Sequence, residues 1–387
     1  MNGAKEGMFG LLRSVELQFW AKKEDILHFL AKRFAYIKKM LYFCTRYDLP
    51  RFPLDQRTRG GLRVFIPIGA CMKYQKQPTS IAEQIARLER RGLNFDDKRL
   101  AAEYLNNISY YRLRAYTYPF QKNDDPSLDH QFIREDITFQ DIIDLYVFDR
   151  RLRSLVFNEL EKVEVAVRTK LSQVYSESTG NSHWYEDKAL FDSAVFATNM
   201  YGETQYDDIS DDIREDVDRS NEDFIKHYYA KYDEPDMPPS WMTMEVISFG
   251  TLSKLYKYLK TSSDKKAVAN AFGISNVDLF ANWLHAFSGL RNCCAHHSRI
   301  WNRRFFVHVK MPYNTSYPFM LRADAENVKQ NKLFALLTAL KYIVDIISPN
   351  NDFKSNLQKL LSERHKLLSL KEMGFPSNWE SLPVWKH

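Results

Sequence analysis

The amino-acid sequence predicts an all-α fold, and three observations favour it. Glycine and proline are scarce, at 13 and 14 of 387 residues, which argues against a turn-rich β architecture. Apolar residues recur every three or four positions from Phe139 to Tyr175, which is the period of a long amphipathic helix. The same period runs through the first part of residues 276–303. The length allows two or three domains, or one large helical domain with additions.

Shorter helices are predicted on both sides of the long one. Ser80 is a predicted N-cap of a helix that Gly92 ends, and another helix runs from Asp96 to Ile108. Ser275 and Asp278 have the spacing of a capping box in front of the helix in 276–303. Residues 304–312 alternate briefly and predict a loop or a short edge strand. The other predicted helices cover 220–232, 241–259, 264–273, 326–347 and 350–370.

Charge is distributed unevenly along the chain. Residues 1–71 carry 13 basic and 6 acidic residues, whereas the rest carries 42 basic and 43 acidic residues. The first segment is interpreted as a basic N-terminal extension with an amphipathic helix over 24–47, and its codons are suspected to precede the true start. Residues 176–239 predict a polar, acidic, solvated insertion whose one helix is 220–232. Any RNA contact by the body must therefore come from local patches.

Cysteine use and hydropathy indicate the compartment. Four cysteines form no disulfide framework, which favours a reducing environment. No apolar run reaches the roughly 18 residues that span a bilayer. Arg13 and Glu16 interrupt the apolar residues 8–20, which argues against a signal peptide. A soluble, cytoplasmic protein with no membrane partner is predicted.

The densest polar cluster of the chain follows the apolar stripe of residues 276–303. Arg291 and His296 lie about 140° apart on an unbroken helix, while Asn292 and His296 are neighbours on one face. Asn292 can therefore hydrogen-bond the imidazole of His296 and fix its tautomer. One copy of this helix makes a poor cleft, so the geometry favours two copies that face each other.

These residues resemble known families. Arg291-Asn292-x-x-x-His296 matches the R-x4-6-H signature of HEPN ribonucleases, although Arg303-x4-His308 shows how weak the bare pattern is. The longer LRNCCAHHSRIWNR, residues 290–303, resembles the bacterial Abi (abortive infection, phage-resistance) family in its AbiD/AbiF-like branch. Further similar stretches are RGL at 91–93, YYRL to PF at 110–120, FDRRLR at 148–153, residues 239–256 and the tail at 373–385.

The resemblance implies a domain plan and a function. An Abi-like helical body covers 73–387, with an N-terminal helical part at 73–138, a HEPN-like helical bundle at 139–347 and a closing segment at 348–387. The implied function is a metal-independent endoribonuclease, a toxin-like effector of phage defence. It cleaves RNA by attack of a ribose 2′-OH and leaves a 2′,3′-cyclic phosphate. The implied partners are RNA, a second copy in a homodimer and an antitoxin, either a small RNA or a protein.

The predicted site needs neither metal nor cofactor. His296 exchanges protons at neutral pH, Arg291 stabilises the charge of the transition state, and Asn292 orients His296 or holds the sugar. Tyrosines interleaved with arginines near Tyr111 and Arg112 can stack bases and hold phosphates, or can instead pack a helix junction. The predicted RNA-binding residues are His297, Arg299, Asn302, Arg303, Tyr111 and Arg112.

Several alternatives stay open at this cluster. Four zinc-type ligands stand at Cys293, Cys294, His296 and His297, but zinc sites usually draw ligands from two separated segments. Alternatively the cluster only caps a helix, with His296 as a satisfied core residue. A cysteine nucleophile has no support. A non-catalytic RNA-binding protein is the alternative function, and an interaction scaffold the third.

Two carboxylates of the long helix are candidates for a catalytic pair. Glu159 and Glu164 are five residues apart and point in different directions on a helix. An ion pair between Glu164 and Arg168, at i and i+4, is the favoured interpretation.

Overall fold

The structure, a computed structural model, describes residues 77–199, 202–313 and 315–386. The predicted basic extension at 1–71 and its amphipathic helix lie outside the described residues. Residues 77–387 form one compact unit. No helix in the described part of the chain combines the length and the apolarity that crossing a membrane requires.

The described residues confirm the predicted all-α class, because they hold many helices and no strand. The helices, in chain order, are α1 (Ile81–Arg90), α2 (Lys98–Asn107), α3 (Tyr110–Thr117), α4 (Phe139–Thr179), α5 (Gln205–Asp218), α6 (Asp223–Lys231), α7 (Ser240–Val246), α8 (Phe249–Tyr258), α9 (Ser263–Asn270), α10 (Val277–Ala295), α11 (Arg322–Asn327), α12 (Leu333–Ile347), α13 (Phe353–Ser362) and α14 (Pro383–Lys386).

Helix α4 is the axis of the fold. It has 41 residues and contacts α3, α7, α9, α10, α12 and α13. Thr138 and Asp141 form a reciprocal capping box at its start, and Gly180 ends it in the left-handed conformation that glycine adopts without strain. The prediction of a long helix over 139–175 is thus confirmed, with four more residues at its C-terminal end.

Helix α10 carries the residues of the predicted site. Its apolar stripe is buried against α4, α8 and α12, as the periodicity predicts. The predicted capping box of Ser275 and Asp278 is wrong. Asn276 is the N-cap instead, and its Oδ1 accepts hydrogen bonds from the amides of Asp278 at 2.9 Å and Leu279 at 3.0 Å.

The prediction of a polar, acidic, solvated insertion with one helix is wrong, because the insertion contains a second helix with buried apolar residues. Residues 205–218 form a second helix, α5, which buries Ile209, Ile213 and Val217 at four-residue spacing. These three apolar residues provide the packing that the surrounding carboxylates obscure in the sequence. The predicted helix at 220–232 is present as α6.

Asp216, a residue of this insertion, explains a second difference between the prediction and the structure. The predicted continuous helix over 241–259 is broken into α7 and α8, with Ser248 as the N-cap of α8. Asp216 of α5 accepts hydrogen bonds from the Ser248 amide at 2.8 Å and from Thr251 Oγ1 at 2.7 Å. This buried carboxylate stabilises the broken geometry, because it satisfies a helix-terminal amide that would otherwise be unpaired.

The C-terminal segment packs on the body through its tryptophans. Trp379 and Trp385 are both buried, and Trp385 Nε1 donates a hydrogen bond of 3.1 Å to Thr338 Oγ1 of α12. The helices here are shorter than predicted, since α12 begins at Leu333 and α13 ends at Ser362. Residues 304–312 form no strand, so the loop interpretation holds.

Candidate functional site

Helix α10 ends inside the predicted motif, and the chain turns sharply there. The helix stops at Ala295, and His296 is its C-cap. His297 follows with a φ of 56°, in the left-handed region, and the Ser298 amide donates back to the Cys293 carbonyl at 2.8 Å. The imidazole of His296 is exposed and makes no hydrogen bond within the described part of the chain. It is therefore open to a ligand and is not a satisfied core residue.

Arg291, one turn earlier, is held by a carboxylate of α4. Its Nε donates to Glu164 Oε2 at 3.1 Å, and its Nη2 donates to Glu164 Oε1 at 3.2 Å. Its Nη1 donates to Asn292 Oδ1 at 3.1 Å. The predicted hydrogen bond between Asn292 and the imidazole of His296 is thus not the one observed. Arg291 keeps 24% of its side chain exposed, and Asn292 is exposed, so all three motif residues reach solvent.

Glu164 is shared between two guanidinium groups. Its Oε1 also accepts from Arg168 Nη2 at 2.5 Å, which confirms the predicted i,i+4 ion pair. Arg168 is anchored in turn by a hydrogen bond to the Met244 carbonyl of α7. Glu159 pairs instead with Lys162, so the two glutamates share no site. The link from Glu164 to Arg291 spans 127 positions and was missed by sequence reasoning.

A second carboxylate of α4 holds the turn that follows the motif. Asp149 is fully buried and accepts hydrogen bonds from the amides of Ile300 at 3.2 Å and Trp301 at 2.7 Å. Its other oxygen accepts from Tyr116 Oη of α3 at 2.7 Å and pairs with buried Arg153. Burial raises the pKa of the Asp149 carboxyl, and the Arg153 guanidinium opposes that rise. The charges of Asp149 and Arg153 are therefore internal.

Helix α3 completes the support of the turn. Arg112 Nη1 donates to the His297 carbonyl at 2.8 Å, across 185 positions of sequence. Neighbouring Tyr111 is 85% exposed, whereas Tyr116 is buried. The packing interpretation of the tyrosine-rich stretch therefore holds for Tyr116, and contact with RNA stays a prediction for Tyr111. Arg112 lies at the site, with Tyr111 beside it in sequence and open to solvent, and Tyr116 packs the helix junction.

The structure gives other roles to two predicted RNA contacts. Arg299 Nη1 donates to the Ala115 carbonyl at 2.6 Å, and burial lowers the pKa of Arg299. Asn302 donates to Glu372 Oε2 at 2.8 Å and accepts from Lys332 Nζ at 3.1 Å. Both side chains fasten the loop after the motif. Their role as RNA contacts stays a prediction, with hydrogen-bonding groups of both side chains already engaged by the protein.

The other two predicted RNA contacts keep polar groups at the surface. Arg303 Nη1 donates to the Arg299 carbonyl at 3.3 Å and is half-buried. His297 is exposed, and only its backbone carbonyl is engaged by Arg112. Both side chains border the turn that carries His296, so they stay candidates for contact with a ligand.

The two cysteines face the protein interior. Burial raises the pKa of Cys293, and it raises that of Cys294 to about 12. A thiolate is thus disfavoured at both positions, as expected for residues on an apolar stripe. Within the described part of the chain, no group of three or more His, Cys, Asp or Glu side chains is placed to hold a metal ion.

Fold and site together define an all-helical protein whose Arg291, Asn292 and His296 reach solvent at the end of α10. The family model for Abi-like proteins matches residues 103–302, which is just over half of the chain. The chain belongs to the Abi-like protein family, and this membership points to abortive infection, a form of phage defence. The matched range contains α3, α4, α10 and the turn with His296. No curated protein and no solved structure matches the chain.

Proposed function

We propose that the protein is a metal-independent endoribonuclease of the HEPN type that acts as a toxin-like effector in phage defence. The observation that carries this proposal is the exposure of Arg291, Asn292 and His296 together at the end of α10. Buried Asp149 of α4 and exposed Arg112 of α3 hold the backbone of the turn that follows. A rigid support with an exposed imidazole and guanidinium is what proton transfer at a phosphate requires.

The chemistry is a transesterification within the RNA. A base removes the proton of a ribose 2′-OH, the 2′ oxygen forms a bond to the adjacent phosphorus, and the bond to the 5′ oxygen breaks. An acid protonates that leaving oxygen, which yields a 2′,3′-cyclic phosphate and a 5′-OH. His296 is suited to the proton transfers, and Arg291 to the added negative charge of the transition state.

The need for an acid and a base at the same phosphate favours two copies of the chain. Within the motif each copy supplies one imidazole, that of His296, although His297 is exposed beside it. One group rarely serves both sides of an in-line displacement. We therefore propose a homodimer in which His296 and Arg291 of each copy line a shared cleft. A neutralising antitoxin, either a small RNA or a protein, would cover the same cleft.

The direct test is cleavage of single-stranded RNA in EDTA. Wild type should cut and leave cyclic phosphate ends, while Arg291→Ala and His296→Ala should each lose about 100- to 10,000-fold in rate. The melting temperature should stay unchanged for the exposed His296→Ala, whereas Arg291→Ala also loses the ion pair with Glu164. His227→Ala is the matched control, because this histidine is exposed on α6, outside the motif. Equal activity of the His296→Ala variant would overturn the proposal.

A non-catalytic RNA-binding protein is the second candidate, and one observation favours it. Two of the three donor nitrogens of Arg291 already bind Glu164, so a phosphate must share or displace that partner. Tight RNA binding by both wild type and the double variant, with no cleavage by either, selects this candidate.

The phage-defence role has its own test in cells. Expression of wild type should stop growth and reduce phage yield, and expression of His296→Ala should do neither at equal protein level. Protection by the inactive variant would contradict a toxin mechanism and leave a binding role.

A further inference from the structure

Residues 304–310 form a loop segment that bends at Phe306 and Val307, contacts α10 at Asn282, and follows the turn with His296. The Phe305 amide donates to the Asn331 carbonyl at 2.8 Å, and the Val309 amide donates to the Gln330 carbonyl at 2.9 Å. On the other side, the Lys310 amide donates to Asn282 Oδ1 of α10 at 2.9 Å. These hydrogen bonds fix the segment on the body.

The side chains of this segment alternate between inside and outside. Phe305 and Val307 are half-buried and Val309 is buried, whereas Arg304, Phe306, His308 and Lys310 are exposed. Phe306 shows 75% of its surface to solvent, which is unusual for so large an apolar side chain. The exposed face of the segment is thus a line of cationic and aromatic groups.

The positive charges around this line have little acidic compensation. Arg304, Lys310 and Lys329 make no ion pair with any acid in the described part of the chain. Burial and the nearby charge of Arg304 both lower the pKa of Lys332, and Lys329 and Arg299 add to the effect. The charge of Glu372 acts against this lowering of the pKa, and its carboxylate also accepts a hydrogen bond from Asn302.

The line is continuous with the site. Arg303 precedes Arg304, and its charge acts on the Cys293 thiol in the last turn of α10. At the far end, Trp283 Nε1 of α10 donates to the Lys310 carbonyl at 2.8 Å. The segment therefore leads from the motif back along the helix, over ten residues of α10.

We propose that Arg304, Phe306, Lys310 and Lys329 form a binding track for the backbone of single-stranded RNA on one side of the cleavage site. Spaced cations contact successive phosphates, and an exposed aromatic ring stacks on a base without selecting its sequence. An anionic membrane is the less favoured ligand, because amphipathic helices, not a narrow line of side chains, present the broad apolar face that inserts into lipid. The choice of RNA as the ligand rests on the proposed function.

The test is equilibrium binding of a labelled single-stranded RNA, by the His296→Ala protein so that the ligand stays intact. Arg304→Ala/Lys310→Ala/Lys329→Ala in that background should bind at least ten-fold more weakly at low salt. The slope of log Kd against log salt should fall by about two, because three lost phosphate contacts each contribute about 0.7. Phe306→Ala should weaken binding about ten-fold with an unchanged salt slope.

The matched control removes three exposed lysines elsewhere, in Lys226→Ala/Lys231→Ala/Lys266→Ala. It changes the net charge by the same amount and should bind RNA like its parent. Equal loss in track and control variants overturns the track, since general charge then explains binding. Binding of phosphatidylserine vesicles but not RNA overturns it as well, as does a parent protein that binds no RNA. If wild type binds RNA through the track but does not cleave it, the ribonuclease proposal is overturned and the track proposal is supported.

Discussion

Two carboxylates of the same helix hold the two ends of the site, and they differ in their access to water. Asp149 is fully buried with its partner Arg153, while Glu164 and Arg291 keep 13% and 24% of their side chains exposed. They lie fifteen residues apart on α4, roughly 22 Å along its axis. Asp149 binds the backbone after the motif, and Glu164 binds a side chain of the motif itself.

This difference in access to water makes Asp149 a structural anchor and Glu164 an adjustable one. Asp149 has every lone pair directed at a donor of the protein, so nothing is left for a ligand to exploit. Glu164 holds Arg291 at a position that a phosphate can also reach. We infer that Asp149 sets where the turn lies and that Glu164 sets how Arg291 is presented.

The largest effect is expected from Asp149→Ala. The substitution leaves a buried guanidinium, a tyrosine hydroxyl and two amides without their acceptor, and should cost about 3–5 kcal/mol of unfolding free energy. Urea unfolding measures this loss. Glu161→Ala is the control on the same helix, exposed and expected to stay within about 0.5 kcal/mol. A similar small change for both variants would contradict the structural role of Asp149.

A smaller loss of stability, with a distinct effect on activity, is expected from Glu164→Gln. Arg168 keeps its bond to the Met244 carbonyl, so the cost should be about 1–3 kcal/mol. Because Arg291 loses one fixed orientation, kcat for RNA cleavage should fall about ten-fold while KM changes little.

Steady-state kinetics separates this positioning role from mere stabilisation. Glu159→Gln is the control, since Glu159 pairs with Lys162 on the same helix and touches no motif residue. A ten-fold fall in kcat for both variants, or a rise in KM alone for Glu164→Gln, argues against the role given to Glu164.

The smallest effect is expected from Arg112→Ala. It removes one hydrogen bond from an exposed side chain to the His297 carbonyl, worth about 0.5–1.5 kcal/mol. Thermal melting should register a small shift, and RNA cleavage should weaken modestly because the turn with His296 is less constrained. Arg99→Ala on α2, also exposed, is the control that should leave both measurements unchanged. No difference between the two variants would show that Arg112 does not position the turn.

Local pattern was sufficient for much of the helical fold. Buried stripes, the Ser80 cap and the stop at Gly92 depend on neighbours within four residues, and the spacing predicts them. The break at Ser248 was not predictable in this way, because Asp216 stabilises it from 32 positions away. Helix α5 was missed because its three buried apolar residues stand among eight charged ones in fourteen.

The features of the candidate site also divide into those that the local sequence predicts and those that it does not. The motif Arg291-Asn292-x-x-x-His296 was visible in the sequence, and so was the resemblance that singled it out. The bond from Arg291 to Glu164 and the burial of Asp149 were not visible, nor was the loop-fastening role of Asn302. Each of these features joins residues that are more than 60 positions apart.

The sequence by itself determined the helical class, the central stripe of α10 and the residues that can carry out chemistry at its end. Periodicity and side-chain chemistry are local properties, so they can be recognised without coordinates. The tertiary structure alone decided which charges are buried anchors and which are open to a ligand. That choice depends on the packing of α3, α4 and α10 against one another, because burial is a property of the assembled core and no single segment contains it.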